Sequence, residues 1–567
     1  MMGSTGAKCA LLAAICGVCR SLQGGMLFPT ESPSREVKDV SGLWRFRADL
    51  SPERNRGFEQ QWYRSPLAQT GPVIDMPVPS SYNDITQDAK IRDFIGWVWY
   101  EKDVWVPARW IQDRGTRIVL RVGSAHYYSV LWVNGVKAAE HEGGHLPFEA
   151  DIGGVLRQTS GNQCRITIAV NNTLQTPSLA LRYPAGYFVQ NTNFDFFNYA
   201  GIHRPVLLYT TPTAHIDDIT VETTFSDTIG KQMCHSEDGQ TDVYTLPVGI
   251  RTVKVTSTQF LINNKPFYFH GVNKHEDADI RGKGFDWPLV VKDFNLMKWM
   301  GVNSFRTSHY PYAEEILQTA DRHGIVIIDE CPGVGIKDIR SFGNVSLAHH
   351  LTVMEELVRR DKNHPSVVMW SVANEPASEM PPAGFYFKEL VSHTKSLDSS
   401  RPVTYITDSN YARDQGAPYV DVICVNSYLS WYHDPGHTEL ISLQLNTQFD
   451  DWFGKYQKPI IQSEYGADAV SGLHSDPPMM FTEEYQKTVL QNYHNVFDQK
   501  RKEFVIGELI WNFADFMTAQ TITRVVGNKK GILTRQRQPK AGAFLLRERY
   551  WRIANETGAL PASARSP

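Results

Sequence analysis

Two rhythms of apolar and polar residues divide the chain. From about residue 26 to 215 the period is two: Ile166, Ile168 and Val170 alternate with Arg165, Thr167 and Ala169, as on a strand with one apolar face. Val130–Lys137 reads as a hairpin, because Asn134-Gly135 supplies the positive φ angles of a two-residue turn. Short strands, frequent turns and no long helical pattern predict an all-β jelly roll or sandwich over residues 25–215.

From about residue 251 short apolar runs alternate with amphipathic stretches. Runs at 267–272, 303–307, 324–329, 366–372, 402–406, 421–426, 459–462 and 507–511 predict eight strands. Between them Val290, Phe294 and Met297, then Ile316, Leu317 and Ala320, then Leu351, Met354 and Val358 recur at helical spacing. Each set forms one apolar stripe that can lie against a sheet. Eight strands with helical crossovers predict a (β/α)8 TIM barrel over residues 251–558. The weakest unit is the fifth, because only a short polar segment separates the fifth and sixth strands. An open doubly wound sheet is the alternative, yet no glycine-rich phosphate loop follows any strand.

Between the two blocks, Ile216–Val221 reads as a departing strand and Tyr244–Arg251 as an arriving one, around a polar, turn-rich stretch from Glu222 to Val243. Residues 216–250 are too few for a sandwich domain of about 100 residues.

The ends and the composition bear on compartment and partners. Lys8 precedes the apolar run from Cys9 to Cys19, which predicts a secretory signal peptide over residues 1–24, too short to span a bilayer. No later run reaches transmembrane length, and residues 559–567 read as a flexible tail. A formal net charge of −4 gives no electrostatic case for nucleic acid. Without the leader, Cys164, Cys234, Cys331 and Cys424 remain, widely spaced and with no metal-ligand pattern. Cys164 and Cys424 fall in strand-like runs, as buried free thiols do. Asn171, Asn344 and Asn555 each open a glycosylation triplet, in keeping with the secretory route.

The candidate chemistry sits where predicted barrel strands end. Glu375 and Glu464 each close an apolar run, so each carboxylate stands where a buried strand emerges. Other strand exits carry His275-Glu-Asp-Ala-Asp279, Arg306-Thr-Ser-His-Tyr-Pro311, Asn426-Ser-Tyr428 with Trp431-Tyr432, and Trp511-Asn-Phe-Ala-Asp515. Barrel active sites occupy that rim, so these clusters converge on one site. Two carboxyl groups there suit glycoside hydrolysis, in which one protonates the leaving oxygen while the other attacks the anomeric carbon.

Asp361–Glu375 and Asn303–Pro311 resemble the two signatures of glycoside hydrolase family 2. Gly282–Asp286, Phe194–Gly201 and Gly527–Gly531 are similar to the branch of that family that releases terminal glucuronic acid, and the likeness runs over nearly all of residues 25–558. It implies a retaining, lysosomal, homotetrameric exo-glycosidase without cofactor or metal, which removes terminal β-D-glucuronic acid from glycosaminoglycans and glucuronide conjugates. It implies Glu375 as acid/base and Glu464 as nucleophile. Asn374 would bond the sugar 2-hydroxyl, and Tyr428 would orient Glu464. Arg306 would keep Glu464 charged, with His309 in support. The glucuronate carboxylate would meet Asn528 and Lys530, with Arg524 just upstream. Asp195, His275, Tyr432 and Trp511 would line the sugar pocket. One departure stands out: family members carry an immunoglobulin-like sandwich of about 100 residues where this chain has a truncated remnant at 216–250. The alternatives are a catalytically inactive or misfolding spliced form that binds only sugar or a subunit, or another family 2 specificity.

Overall fold

The computed structural model describes residues 26–159, 161–173, 195–223 and 241–558. The leader, Cys234 and the tail lie outside the described residues.

The first domain is a β sandwich. A four-stranded antiparallel sheet (Val37–Asp39, Val206–Pro212, Thr116–Val122, Phe148–Asp151) faces a six-stranded one. The larger sheet runs Ile74–Val78, Gly42–Ala48, Trp97–Trp105, Gln163–Asn171, Tyr128–Val133, Val136–Glu142. Trp44, Phe46, Ile166 and Ile168 of the large sheet meet Ile118, Leu120 and Leu208 of the small one in a closed core. The outer face of the large sheet is not left to solvent. Trp99, Trp132 and Ala169 are buried there beneath Trp62 and Leu67 of a segment with short helices. That cover explains why Thr167 and Ala169, on the predicted polar face, are as buried as Ile166 and Ile168. The predicted hairpin joins Tyr128–Val133 to Val136–Glu142, and Asn134 (φ +49°) and Gly135 (φ +80°) form its turn.

The second domain is a closed eight-stranded parallel barrel. Its strands are β1 (Phe269–Asn273), β2 (Ser304–Arg306), β3 (Val326–Glu330), β4 (Val367–Asn374), β5 (Val403–Thr407), β6 (Ile423–Asn426), β7 (Ile460–Glu464) and β8 (Val505–Ile510). The helices are α1 (Trp287–Met300), α2 (Glu314–His323), α3 (Asn344–Asp361), α4 (Pro381–Leu397), α5 (Ile441–Tyr456), α6 (Glu483–Lys500) and α7 (Ala541–Thr557). Val290, Phe294, Ile316, Leu317, Met354 and Val358 bury the expected helical stripes against the strands. Between β5 and β6 there is no helix, so the fifth unit, the weakest in the sequence, departs from the expected helical crossover. A small antiparallel sheet (Val253–Val255, Phe260–Ile262, Lys265–Pro266) stoppers the barrel: Phe260 packs with Phe269, Ile328, Met369, Ile406, Ile461 and Leu509 of its interior. With that end filled, side chains at the opposite, C-terminal end of the strands are the ones free to form a mouth.

The two domains dock closely. A side chain at Gly284 would come within 2.6 Å of Ser80 Cα, so glycine is required for the approach. Beside it Lys283 Nζ contacts His145 Nδ1 at 2.7 Å, and buried Arg121 bridges Glu149 of the sandwich (2.7 Å) to Glu314 of α2 (2.6 Å).

The connector differs from the sequence-based expectation. Neither Ile216–Val221 nor Tyr244–Arg251 forms a strand. Their backbone groups are satisfied by side chains instead. Asn363 donates to Ile219 O (2.7 Å) and accepts from Val221 N (2.9 Å), while Asp242 accepts from Ile216 N (2.8 Å). Arg35 Nε donates to Asp242 (3.0 Å), and Thr223 exchanges hydrogen bonds with the backbone of Arg251. Burial works against the Asp242 charge, but Arg35, Ser34 and the Ile216 N–H hold its pKa below the usual carboxylate range. Alternating apolar residues report an extended chain; a strand also needs a partner edge.

Candidate active site

The C-terminal strand ends open into one cavity of about 830 Å³. Glu464 is the last residue of β7 and Glu375 follows β4 directly, so two backbone ladders bring both carboxylates to the mouth. Asp195, His309, Asn374, Tyr428, Tyr432, Trp511, Arg524 and Asn528 line the same cavity. Arg306, His275 and Lys530 are buried just behind that lining.

The two glutamates sit in opposite environments. Arg306 Nη2 reaches Glu464 Oε1 at 2.6 Å, and the Tyr428 hydroxyl donates to Oε2. Arg306 is fully buried and shared, because its Nε lies 3.2 Å from Glu330 of β3. Glu330 is fixed in turn by His309 (2.9 Å) and by the Ser371 hydroxyl (2.8 Å). A buried cation between two carboxylates, each bonded further, is an arrangement that offsets the cost of burying the charges. Burial works against the Arg306 charge, but Glu330 and Glu464 outweigh it and raise the pKa.

Glu375 has weaker company. Asn426 donates to its Oε1 at 2.8 Å, and Lys337 stands 3.9 Å from Oε2. Burial, then the charges of Glu464, Asp408 and Asp195, push its pKa well above the ordinary carboxylate range, and Lys337 only partly offsets them. One carboxyl is thus clamped by a cation and a hydroxyl while its neighbour has a raised pKa, the asymmetry that a nucleophile and a general acid need. The backbone of Glu375 takes φ +44°, and its N–H donates to Ile406 O at 2.9 Å across the β4–β5 edge.

The opposite wall carries the basic loop. Lys530 Nζ pairs with Asp468 (3.0 Å), bonds the Tyr432 hydroxyl (2.9 Å) and lies over the Tyr432 and Trp431 rings. Burial raises the Asp468 pKa while Lys530 pulls it down. Asn528 Oδ1 accepts from the Lys530 N–H at 3.0 Å, which fixes the loop, and Arg524 pairs with Asp195 at 2.8 Å. His275 bonds the Tyr310 hydroxyl through Nδ1 (3.1 Å) and meets Trp511 edge-on; His309 stacks flat on Trp511.

Some residues of the site escaped the sequence reading. Glu330 ends an apolar strand just as Glu464 does, and Asp408 follows β5, so the same rule could have found both. Asn426 lay within a noted cluster without a role of its own. Lys337 and Asp468 sit in loops and carry no local signal. Among the described residues no group of three or more His, Cys, Asp or Glu is placed to hold a metal. No helix of the described residues is long and apolar enough to cross a membrane. Cys164, Cys331 and Cys424 are buried free thiols. Of the glycosylation triplets, Asn344 and Asn555 are exposed on α3 and α7, whereas Asn171 ends a strand and accepts from Thr173 N at 2.8 Å.

Known proteins resemble the chain over both domains. Residues 37–212 match the sugar binding domain of the glycosyl hydrolases of family 2, and residues 253–555 match their TIM barrel domain. The chain is 61% identical to a cat beta-glucuronidase, covering 96% of this chain and 94% of that protein. It is 60% identical to the human beta-glucuronidase, covering 98% and 97%. These alignments run over 616 and 630 positions, more than the 567 residues of the chain, so both relatives carry internal residues without a counterpart here. Among solved structures, the beta-D-glucuronidase of Dictyoglomus thermophilum superimposes with a TM-score of 0.84 at 43% identity, over 93% of this chain and 99% of that one. A beta-glucuronidase from an uncultured Clostridium species gives 0.85 at 43%, over 93% and 100%.

Proposed function

The chain belongs to family 2 of the glycosyl hydrolases, and on that footing we propose that it is a retaining exo-β-glucuronidase. It acts on terminal β-D-glucuronic acid of glycosaminoglycans and glucuronide conjugates. The observation that carries the reading is the asymmetry of the two carboxyls in one cavity: Glu464 clamped by Arg306 and Tyr428, Glu375 raised in pKa by burial and by neighbouring acids.

In the first step the Glu464 carboxylate attacks the anomeric carbon as Glu375 gives its proton to the departing glycosidic oxygen. A glycosyl ester on Glu464 results. In the second step Glu375, now a carboxylate, takes a proton from water, whose oxygen displaces Glu464 with net retention. In this reading Asn374 bonds the 2-hydroxyl, and Asp195, His275 and Trp511 support the ring. Arg524, Asn528 and Lys530 form the donor wall that suits a sugar carboxylate, with Tyr432 between Lys530 and the cavity. Asn171, Asn344 and Asn555 are read as glycan acceptors, and the location as lysosomal, with four copies assembling. The division favoured is a leader over 1–24, the β domain over 25–215, a shortened middle segment over 216–250, the barrel over 251–558 and a tail over 559–567.

The test is hydrolysis of a chromogenic aryl β-D-glucuronide at acidic pH, with NMR of the first-formed anomer. Release of the β-anomer is expected. A folded, soluble preparation that turns over none of it would sink the reading.

A further inference from the structure

The cavity is larger than one pyranose ring fills, and part of its lining comes from elements that carry none of the residues assigned to the sugar. Because no helix separates β5 from β6, the loop after β5 faces α5 directly. Asp408, Tyr411 and Arg413 from that loop and Gln444, Gln448 and Asp451 from α5 line the cavity beyond Glu375. The loop is fastened from outside: Lys455 Nζ and the Tyr456 hydroxyl donate to Tyr411 O at 2.9 and 3.0 Å.

This end lies on the leaving-group side, an assignment that rests on reading Glu375 as the acid. An acid that protonates the glycosidic oxygen faces the group that departs. Lys337 ties that point to the loop, standing 3.9 Å from Glu375 and 3.0 Å from Asp408. Most charges around the cavity are matched: Glu464 with Arg306, Asp195 with Arg524, Asp408 with Lys337. Arg413 is exposed at the loop's end; Gln415 donates to its carbonyl oxygen at 2.8 Å, and no hydrogen bond or ion pair engages its guanidinium among the described residues. Asp451 on α5 also lines the cavity and is likewise without an ion pair, and the carboxamides of Gln444 and Gln448, which donate to Asp434 (2.6 Å) and Gln462 (3.2 Å), keep an oxygen and a second N–H able to bond hydroxyl or amide groups.

We propose that the 408–413 loop and the facing side of α5 form the leaving-group subsite, in which Arg413 receives an anionic substituent of the released sugar. A guanidinium fork pairs bidentately with a sulfate ester or a carboxylate. Asp451 and the two glutamines accept from and donate to the amide and hydroxyl groups of that sugar. The substrates favoured are therefore oligosaccharides whose second residue is an anionic amino sugar, over neutral or aromatic conjugates.

Three substrates test it: 4-nitrophenyl β-D-glucuronide, a tetrasaccharide ending in glucuronic acid on unsulfated N-acetylgalactosamine, and the same tetrasaccharide with that galactosamine sulfated. Arg413→Ala should lower kcat/KM for the sulfated tetrasaccharide by about tenfold, the scale of one charge-assisted hydrogen bond, and change the other two less than about twofold. Arg413→Lys should recover part of the loss, and Arg413→Glu should deepen it. His433, another base lining the cavity, follows Tyr432 on the Lys530 side, and His433→Ala should leave the sulfated-to-unsulfated ratio unchanged. Equal loss on all three substrates, or an unchanged ratio in Arg413→Ala, overturns the proposal. Absence of any turnover by the unaltered enzyme would instead count against the glucuronidase reading. In that event calorimetric binding of the sulfated tetrasaccharide decides this one: tenfold weaker binding to Arg413→Ala supports it and equal affinity overturns it.

Discussion

The barrel mouth and the connector over residues 213–252 are built on different principles. At the mouth Arg306, Glu375, Asn426, Glu464 and Trp511 stand at or beside the ends of strands, and eight strands closed on themselves fix where those ends lie. In the connector no backbone ladder exists among the described residues, and the path is stitched by single side chains: Asp242 to Arg35, Asn363 to Ile219 and Val221, Thr223 to Arg251. The mouth's geometry is thus set cooperatively and locally, and the connector's is set piece by piece against its neighbours. A chain that lacks internal residues its relatives possess can keep the first intact while relying on the second for attachment.

Four substitutions bear on that contrast, the first expected to matter most. Glu464→Ala removes the attacking carboxylate and should lower kcat by more than about 10⁴-fold, beyond the usual range for acid–base catalysis alone. Initial rates beside a circular dichroism spectrum measure it, and a loss under a hundredfold would mean that another group attacks. Glu375→Gln should cost about 10²–10⁴-fold on sugar leaving groups, and less on 4-nitrophenol, which departs without a proton. The pH profile carries a sign as well. Glu375 must be protonated in the first step and its pKa is raised, so activity persists up to that raised value and falls as pH climbs through it. The residual activity of the glutamine variant should lack that descending limb.

Lys530→Met should reduce the preference for glucuronide over glucoside by about 10–100-fold, the scale of a hydrogen bond to a charged group. It also strands Asp468 in a buried site and should lower the thermal midpoint. Adding Asp468→Asn should restore the midpoint without restoring the preference; if both return together, Lys530 serves the fold alone. The smallest effect on chemistry belongs to the connector. Arg35→Ala should destabilise by about 1–3 kcal/mol, visible as a lower melting temperature, while kcat/KM per folded molecule stays unchanged. A loss of per-molecule activity there would erase the distinction between the two regions.

Much of the barrel was legible because its signals are local. All eight strands fall within two residues of the predicted runs, and the unit that lacks its expected helix, between β5 and β6, is the one whose sequence signal is weakest. The mouth was legible through strand-terminal polar residues, which is why Glu375, Glu464, Tyr428 and Trp511 meet in one cavity. The failures share a cause. Whether Ile216–Val221 becomes a strand depends on a partner edge elsewhere, and whether Ala169 is buried depends on a segment a hundred residues earlier. Lys337 and Asp468 acquire meaning only through Glu375 and Lys530, to which no sequence spacing connects them.

Glu375 holds its backbone in the left-handed region, a conformation that costs a residue with a side chain about 1 kcal/mol or more and that glycine or asparagine adopts readily. Considered only as a folding problem, position 375 carries the wrong amino acid. Glu375→Gly and Glu375→Asn should therefore melt at a higher temperature than the parent while being nearly inert. Selection for heat resistance alone would discard the glutamate, so a lineage that retains it reports a demand for turnover.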